Sequence, residues 1–211
     1  MRPIFITGIG TDVGKTVVSA IVTEALGAAY WKPVQAGYDQ GTDAQWVGAR
    51  ISGGGDRIKP EVYKLRLPAS PHIAAREEGV TISLDKIAAV MPEERPLVIE
   101  GAGGLMVPLN ESEFVIDLIN KLNAKVLLVS KNYLGSINHS LLTAAVCQAR
   151  GVDVAGWIFN GDPSGYEKEI AAWSGIGFCE AIPFTDDPNK DFVREQARRI
   201  RPALLKALER P

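Results

Sequence analysis

The feature that most restricts what this chain can become lies in its first twenty residues. A short apolar run, Ile4 to Thr7, feeds directly into Gly8-Ile9-Gly10-Thr11-Asp12-Val13-Gly14-Lys15-Thr16, and an apolar helical pattern, Val17-Val18-Ser19-Ala20-Ile21-Val22, follows without a break. A strand that turns through glycines into a helix opened by Gly-Lys-Thr leaves consecutive backbone N–H groups unpaired at the helix start. With the positive end of the helix macrodipole behind them, they form a nest for anionic oxygens. In that setting Lys15 bridges the outer phosphates of a nucleotide and the Thr16 hydroxyl ligates Mg²⁺. The strict phosphate-loop spacing asks for glycine where Ile9 stands; Gly8 is one position early and Gly10 one late.

The rest of the chain alternates short apolar runs with longer amphipathic ones, the pattern of repeated βα units. Strands are expected at Ile4 to Thr7, Ala29 to Lys32, Leu97 to Glu100, Val126 to Ser130, Val154 to Asn160 and Gly177 to Ile182. Helices are expected at Lys15 to Leu26, Ala44 to Ile51, Leu84 to Met91, Val115 to Leu122, Ile137 to Ala149, Tyr166 to Ser174 and Asp191 to Leu208, the last kinked or split at Pro202. The predicted fold is α/β: a mostly parallel central sheet with helices on both faces, of the P-loop NTPase kind. Ser52 to Pro71, rich in glycine and proline, fits neither strand nor helix and reads as a long covering loop. At 211 residues the chain suits a single domain, 1–211, with no linker or repeat to divide it.

A phosphate loop alone says only that a nucleotide binds, so the residues around it must supply the chemistry. Pro96-Leu97-Val98-Ile99-Glu100 offers a carboxylate at the end of an apolar strand, followed by Gly101-Ala102-Gly103-Gly104, whose small residues leave backbone amides free for an anion. Asp43, within Gly41-Thr42-Asp43-Ala44, reads either as a metal ligand or as a helix cap. Lys32, after Tyr30-Trp31 at a strand end, is either a solvated lysine or part of the site. In open α/β sheets ligands bind beyond the carboxyl ends of the strands, where Lys32, Glu100 and the loop would converge. Two lysines and Mg²⁺ beside one phosphate point to phosphoryl transfer.

Composition removes several classes. A net charge of −2 with no basic stripe argues against a nucleic-acid partner. No run approaches the roughly 18 apolar residues of a membrane span, the first residues do not form a secretory signal, and a cytoplasmic location is expected. Cys147 and Cys179, with His72 and His139, have no zinc-site or disulfide spacing, and Cys147 reads as core. Trp31, Trp46, Trp157 and Trp173 read as packing between sheet and helices, and the Arg194, Arg198, Arg199, Arg201 series as a solvated helix face.

The chain resembles the dethiobiotin synthetases, ATP-dependent cyclo-ligases of biotin synthesis. The resemblance runs through Phe5-Ile6-Thr7-Gly8, Thr11 to Thr16, Lys32-Pro33-Val34, Ser70-Pro71-His72, Glu100 to Gly104 with Pro108-Leu109, Leu134-Gly135 with Ile137-Asn138-His139, Gly156-Trp157 with Asn160, and Ile182-Pro183. It accounts for the loop spacing, since the family places its first glycine at the position of Gly8. It implies ATP and Mg²⁺ as cofactors and, as substrates, CO₂ and 7,8-diaminononanoate, which is carboxylated on one amine, phosphorylated by ATP and closed to a ureido ring by the second amine. Thr16, Asp43 and Glu100 would hold Mg²⁺; Lys15, Lys32 and Thr11 would be catalytic. Asp12, Val13, Gly14, Lys15, Thr16, Glu100, Gly103, Asn160 and Pro183 would contact the nucleotide, with Asn160 reading adenine. Gly135, Ser136, Ile137 and Asn138, at a helix start, would join Lys32 in binding substrate by receiving its carboxylate across a homodimer interface.

Three positions depart from the family pattern. Ala36 stands where a Ser or Thr is usual, Gly10 where an aspartate is familiar, and Tyr133 where a lysine often precedes Leu-Gly. His72 reads equally as a substrate-loop residue or a hydrogen-bonded structural one. The rival class is a nucleotide-switched partition or positioning ATPase, which carries a signature lysine at the position of Gly10. A glutamine-dependent amidoligase would need an added glutaminase domain, for which 211 residues leave no room.

Overall fold

The computed structural model describes residues 1–162 and 165–209, and the side chains of Phe178 and Cys179 lie outside those described. Nine strands and nine helices follow one another along them: β1 Ile4–Gly8, α1 Lys15–Leu26, β2 Ala29–Trp31, β3 Val34–Ala36, α2 Asp43–Arg50, α3 Gly54–Arg57, β4 Ile58–Lys59, β5 Tyr63–Leu65, α4 Pro71–Glu77, α5 Leu84–Ala89, β6 Leu97–Gly104, α6 Val115–Lys121, β7 Lys125–Lys131, α7 Ser136–Ala149, β8 Val154–Asn160, α8 Glu167–Ser174, β9 Phe178–Ile182 and α9 Lys190–Leu208. Seven strands form one parallel sheet in the order β4-β2-β6-β1-β7-β8-β9.

Strand periodicity divides the core. Ile4, Ile6, Val98, Leu127 and Val129 face α1, α2 and α9, whereas Phe5, Ile99, Val126 and Leu128 face α5, α6 and α7. A strand buried on both faces reads as a continuous apolar run, as these do. With β1 central, the turn after it opens onto the carboxyl edge of the sheet, flanked by β6 and β7.

The structure departs from the sequence expectations in several places. The stretch from Ser52 to Pro71 is not a bare loop; it holds α3, β4 and β5. Pairing partners made these short elements: β4 extends the main sheet beside β2, and β5 pairs with β3 in a second, two-stranded sheet. Neither β3 nor α4 was anticipated, since the three residues Val34-Gln35-Ala36 and a proline-led turn carry little periodicity. Glu100 is not at a strand end, because β6 continues to Gly104, where Gly104 pairs with Gly8. The side-chain-free backbone lets the two chains approach: a Cβ on Gly104 would lie 3.1 Å from the Gly8 carbonyl oxygen. Helix α9 is not split at Pro202; it runs through as one element, anchored on both sides of the proline by buried Ile200 and Leu204. Trp173 is largely exposed, whereas Trp31 and Trp157 fill the core as expected and half-buried Trp46 packs against it. Cys147 is buried, and that burial pushes its thiol up to about 12.

Candidate functional site

Helix α1 begins without a side-chain cap. Gly14 occupies its N-cap position in the left-handed region, with φ 87°, and no acidic side chain lies in the first turn. The orphan N–H groups of that turn are therefore free for an anion. Asn160, at the end of β8, closes the loop from behind, its Nδ2 donating to the Val13 carbonyl at 3.2 Å. Lys15 folds back over the loop and donates to the Gly10 carbonyl at 2.7 Å. That side chain is 8% exposed, and burial lowers its pKa from 10.5 to about 8 against the opposing pull of Glu100, with Lys32 pushing the same way as burial.

Beside the loop three polar groups meet on Glu100, itself 1% exposed. Thr16 Oγ1 donates to Glu100 Oε1 at 2.9 Å, Lys32 Nζ donates to the same oxygen at 3.0 Å, and Tyr30 Oη donates to Oε2 at 2.9 Å. Lys32 also pairs with Asp43. Burial alone would depress Lys32, but Glu100 and Asp43 outweigh it, and the ammonium is held above its ordinary value. Burial, with Glu100 next in effect, keeps the Tyr30 phenol protonated well above the ordinary range. Asp43 is not the helix cap: Thr42 caps α2, accepting from the Gln45 N–H while Gln45 Oε1 accepts from the Thr42 N–H, and Asp43 is left free to reach Lys32.

Lys15, Thr16, Lys32, Asp43 and Glu100 line one cavity of about 580 Å³, within the size range of small-molecule sites. Thr11, Asp12, Gly14, Lys15, Thr16, Lys32, Asp43, Glu100 and Gly103 of the sequence prediction all border it, as does Ala36. Val13 is buried beneath the loop, and Pro183 is an exposed residue beyond β9. Gly135, Ser136, Ile137 and Asn138 are not brought to this cavity; they form the start of α7, with Gly135 as its left-handed N-cap and Ser136 buried. His72 is hydrogen-bonded to Ser70 Oγ at 3.0 Å.

Two residues escaped the sequence reading, Gln35 at the cavity and Tyr30 behind Glu100. Tyr30 sits two positions before Lys32, so strand alternation puts both on one face, a signal that was available. Gln35 is buried, its Oε1 accepting from the Asp43 N–H and its Nε2 donating to the Gly37 carbonyl. It ties β3 to the start of α2, a contact that nothing in the local sequence announces.

Residues 2–194 match the family described as AAA domain. An ATP-dependent dethiobiotin synthetase BioD from Cytophaga hutchinsonii is 51% identical over 178 residues, covering 84% of this chain and 85% of the relative. The chain belongs to the dethiobiotin synthetase family. Another synthetase of that name, from Christiangramia forsetii, is 45% identical over 205 residues, 95% of this chain and 96% of the relative. Among solved structures, the MinC:MinD cell division protein complex from Aquifex aeolicus aligns with a TM-score of 0.61 at 14% identity, over 100% of this chain and 97% of that one. The septum site-determining protein MinD complexed with Mg-ADP from Pyrococcus horikoshii aligns at 0.59 and 12%, over 99% and 96%. At such identities the likeness of this dethiobiotin synthetase family member to those proteins is one of fold alone.

Proposed function

We propose that this chain closes the ureido ring of dethiobiotin, using ATP, CO₂ and 7,8-diaminononanoate. One amine takes up CO₂ as a carbamate, whose oxygen attacks the γ-phosphorus of ATP and releases ADP. The second amine then attacks the carbonyl carbon, and phosphate departs. Phosphorylation is needed because the carbamate oxygen is otherwise a poor leaving group. The observation that carries this reading is the convergence of Lys15, Lys32, Glu100 and Asp43 on one cavity beside the uncapped start of α1.

Within that cavity Lys15 neutralises charge on the transferring phosphoryl group, and Lys32, held protonated by two carboxylates, stabilises the carbamate and its phosphorylated form. Thr11 borders the same space. The donors present suit Mg²⁺, a hard cation: the Thr16 hydroxyl and the Glu100 carboxylate are within 2.9 Å of each other, and Asp43 joins them through Lys32. Such an ion takes one or two protein carboxylates alongside water and phosphate. When bound it neutralises phosphate charge and orients the triphosphate. Asn160, already against the loop, and Pro183 would border the base.

The reading includes a homodimer. The start of α7 lies away from the cavity, with Tyr133 and Leu134 exposed before it, and a helix start suits a carboxylate. A second copy of the chain could offer that start to the substrate of the first. A cytoplasmic location, with neither nucleic acid nor membrane as partner, completes the proposal; among the described residues no helix is long and apolar enough to cross a membrane.

Purified protein incubated with MgATP, bicarbonate and the diamine should form ADP only when the diamine is present, together with a product of dethiobiotin mass. ATP hydrolysis independent of the diamine, with no ring product, would overturn the proposal in favour of a switch ATPase.

A further inference from the structure

Glu100 has two carboxylate oxygens with different duties. Oε1 faces Thr16 and Lys32, the side of the cavity; Oε2 is turned away and has one donor described, the hydroxyl of Tyr30. Tyr30 is fully buried, its ring packed with Ile6, Val98 and α1 residues in the core cluster behind the phosphate loop. The strand register explains the reach. Tyr30 pairs with Val98 across the parallel β2–β6 ladder, so Glu100 is its diagonal neighbour two residues along the same face. Diagonal neighbours at about 7 to 8 Å lie within the span of an aromatic side chain, and the phenol ends on the carboxylate. Lys32, next on that face beyond β2, takes the other oxygen.

We propose that Tyr30 is a positioning residue for Glu100: by holding Oε2 back against the core it fixes the carboxylate plane so that Oε1 is presented to Thr16, Lys32 and the cation of the bound nucleotide. The inference rests on the proposed role of Glu100 in holding that cation. A carboxylate has a soft terminal torsion with broad, two-fold minima, so a second-oxygen anchor is what selects one orientation. The hydroxyl is buried and Tyr30 does not line the cavity. Its loss therefore has a distinctive signature: the metal requirement changes, and recognition of the metal-free nucleotide and of the diamine does not.

The test is Tyr30→Phe, which removes one oxygen and keeps the ring. Losing a hydrogen bond to a buried charge is worth about tenfold or more. The Mg²⁺ concentration for half-maximal turnover should therefore rise about tenfold, and MgADP affinity should fall by a similar factor. ADP affinity measured in chelator, and KM for the diamine, should stay unchanged. A merely structural role would lower the melting temperature and leave the Mg²⁺ dependence where it was; that result overturns the proposal. Glu100→Gln separates the layers. If it shifts the Mg²⁺ requirement while Tyr30→Phe does not, the positioning role fails alone; if neither shifts it, the assignment of Glu100 fails and the positioning role with it. In Tyr30→Phe/Glu100→Gln the tyrosine effect should vanish, because coupled residues are not additive. The double variant also covers poor folding of Tyr30→Phe, since an amide at position 100 leaves no buried carboxylate unpaired; a Mg²⁺ requirement equal to that of Glu100→Gln alone supports the proposal, and a further rise opposes it.

Discussion

Asn160 Nδ2 occupies the space that a side chain on Gly14 would need: a Cβ built on Gly14 would fall 1.9 Å from it. The phosphate loop is thus wedged between β1 and the end of β8, and its left-handed glycine is required both by φ and by contact. Gly14→Ala should cost roughly 1 to 2 kcal/mol in backbone strain before any clash is relieved. The displaced loop should bind nucleotide at least about tenfold more weakly, read by fluorescence titration with ADP. Affinity equal to that of the parent would mean that the wedge does not set the loop's shape.

Lys15 gives the nucleotide site a pH dependence of definite sign. Its folded-state pKa is lowered from 10.5 to about 8 by burial, and phosphate oxygens in contact with the ammonium raise it again. Above pH 8 the bound state therefore holds more protons than the free one, and affinity falls as pH rises from 8 toward the bound-state value. Calorimetry in buffers of different ionisation enthalpy should detect proton uptake on ADP binding near pH 8.5. Lys15→Met should abolish it.

Lys32 joins two carboxylates, one of them almost wholly buried. Removing one partner of a buried pair leaves a charge uncompensated, at a cost of about 3 to 5 kcal/mol. Lys32→Ala should lose stability on that scale in urea melts, with the Glu100→Gln background recovering part of it. Turnover should fall by orders of magnitude at saturating substrates; turnover equal to that of the parent would remove Lys32 from the mechanism.

Ala36 borders the cavity with a methyl group where the resemblance leads one to expect a hydroxyl. Restoring it with Ala36→Ser adds a donor facing the substrate space, and a hydrogen bond to a charged group is worth about 1.5 to 3 kcal/mol. KM for the diamine should drop about tenfold or more with KM for ATP unchanged. No change in either constant would indicate that backbone groups already satisfy that part of the substrate.

The strand, the glycine loop and the Gly-Lys-Thr helix start were legible because every contact that makes them is local: consecutive residues supply the nest, and their φ preferences and apolar periodicity are written in order along the chain. The strands that became β1, β7 and β8 were legible for the same reason, being continuous apolar runs of the right length. The length of β6 was not, since Gly101 to Gly104 have no strand character of their own and extend the ladder only because Gly8 can approach them closely. The short strands β3, β4 and β5 likewise exist through their partners. At the site, residue types alone nominated Lys32, Asp43 and Glu100 but left open a solvated lysine for the first and, as an equal reading, a helix cap for the second. Their 11- and 68-residue separations were closed by the order of the sheet, which sets β2 against β6 and brings α2 over the end of β2. That Tyr30 anchors the hidden oxygen of Glu100 was decided in the same way, by strand register, a relation between distant segments that no single stretch of sequence contains.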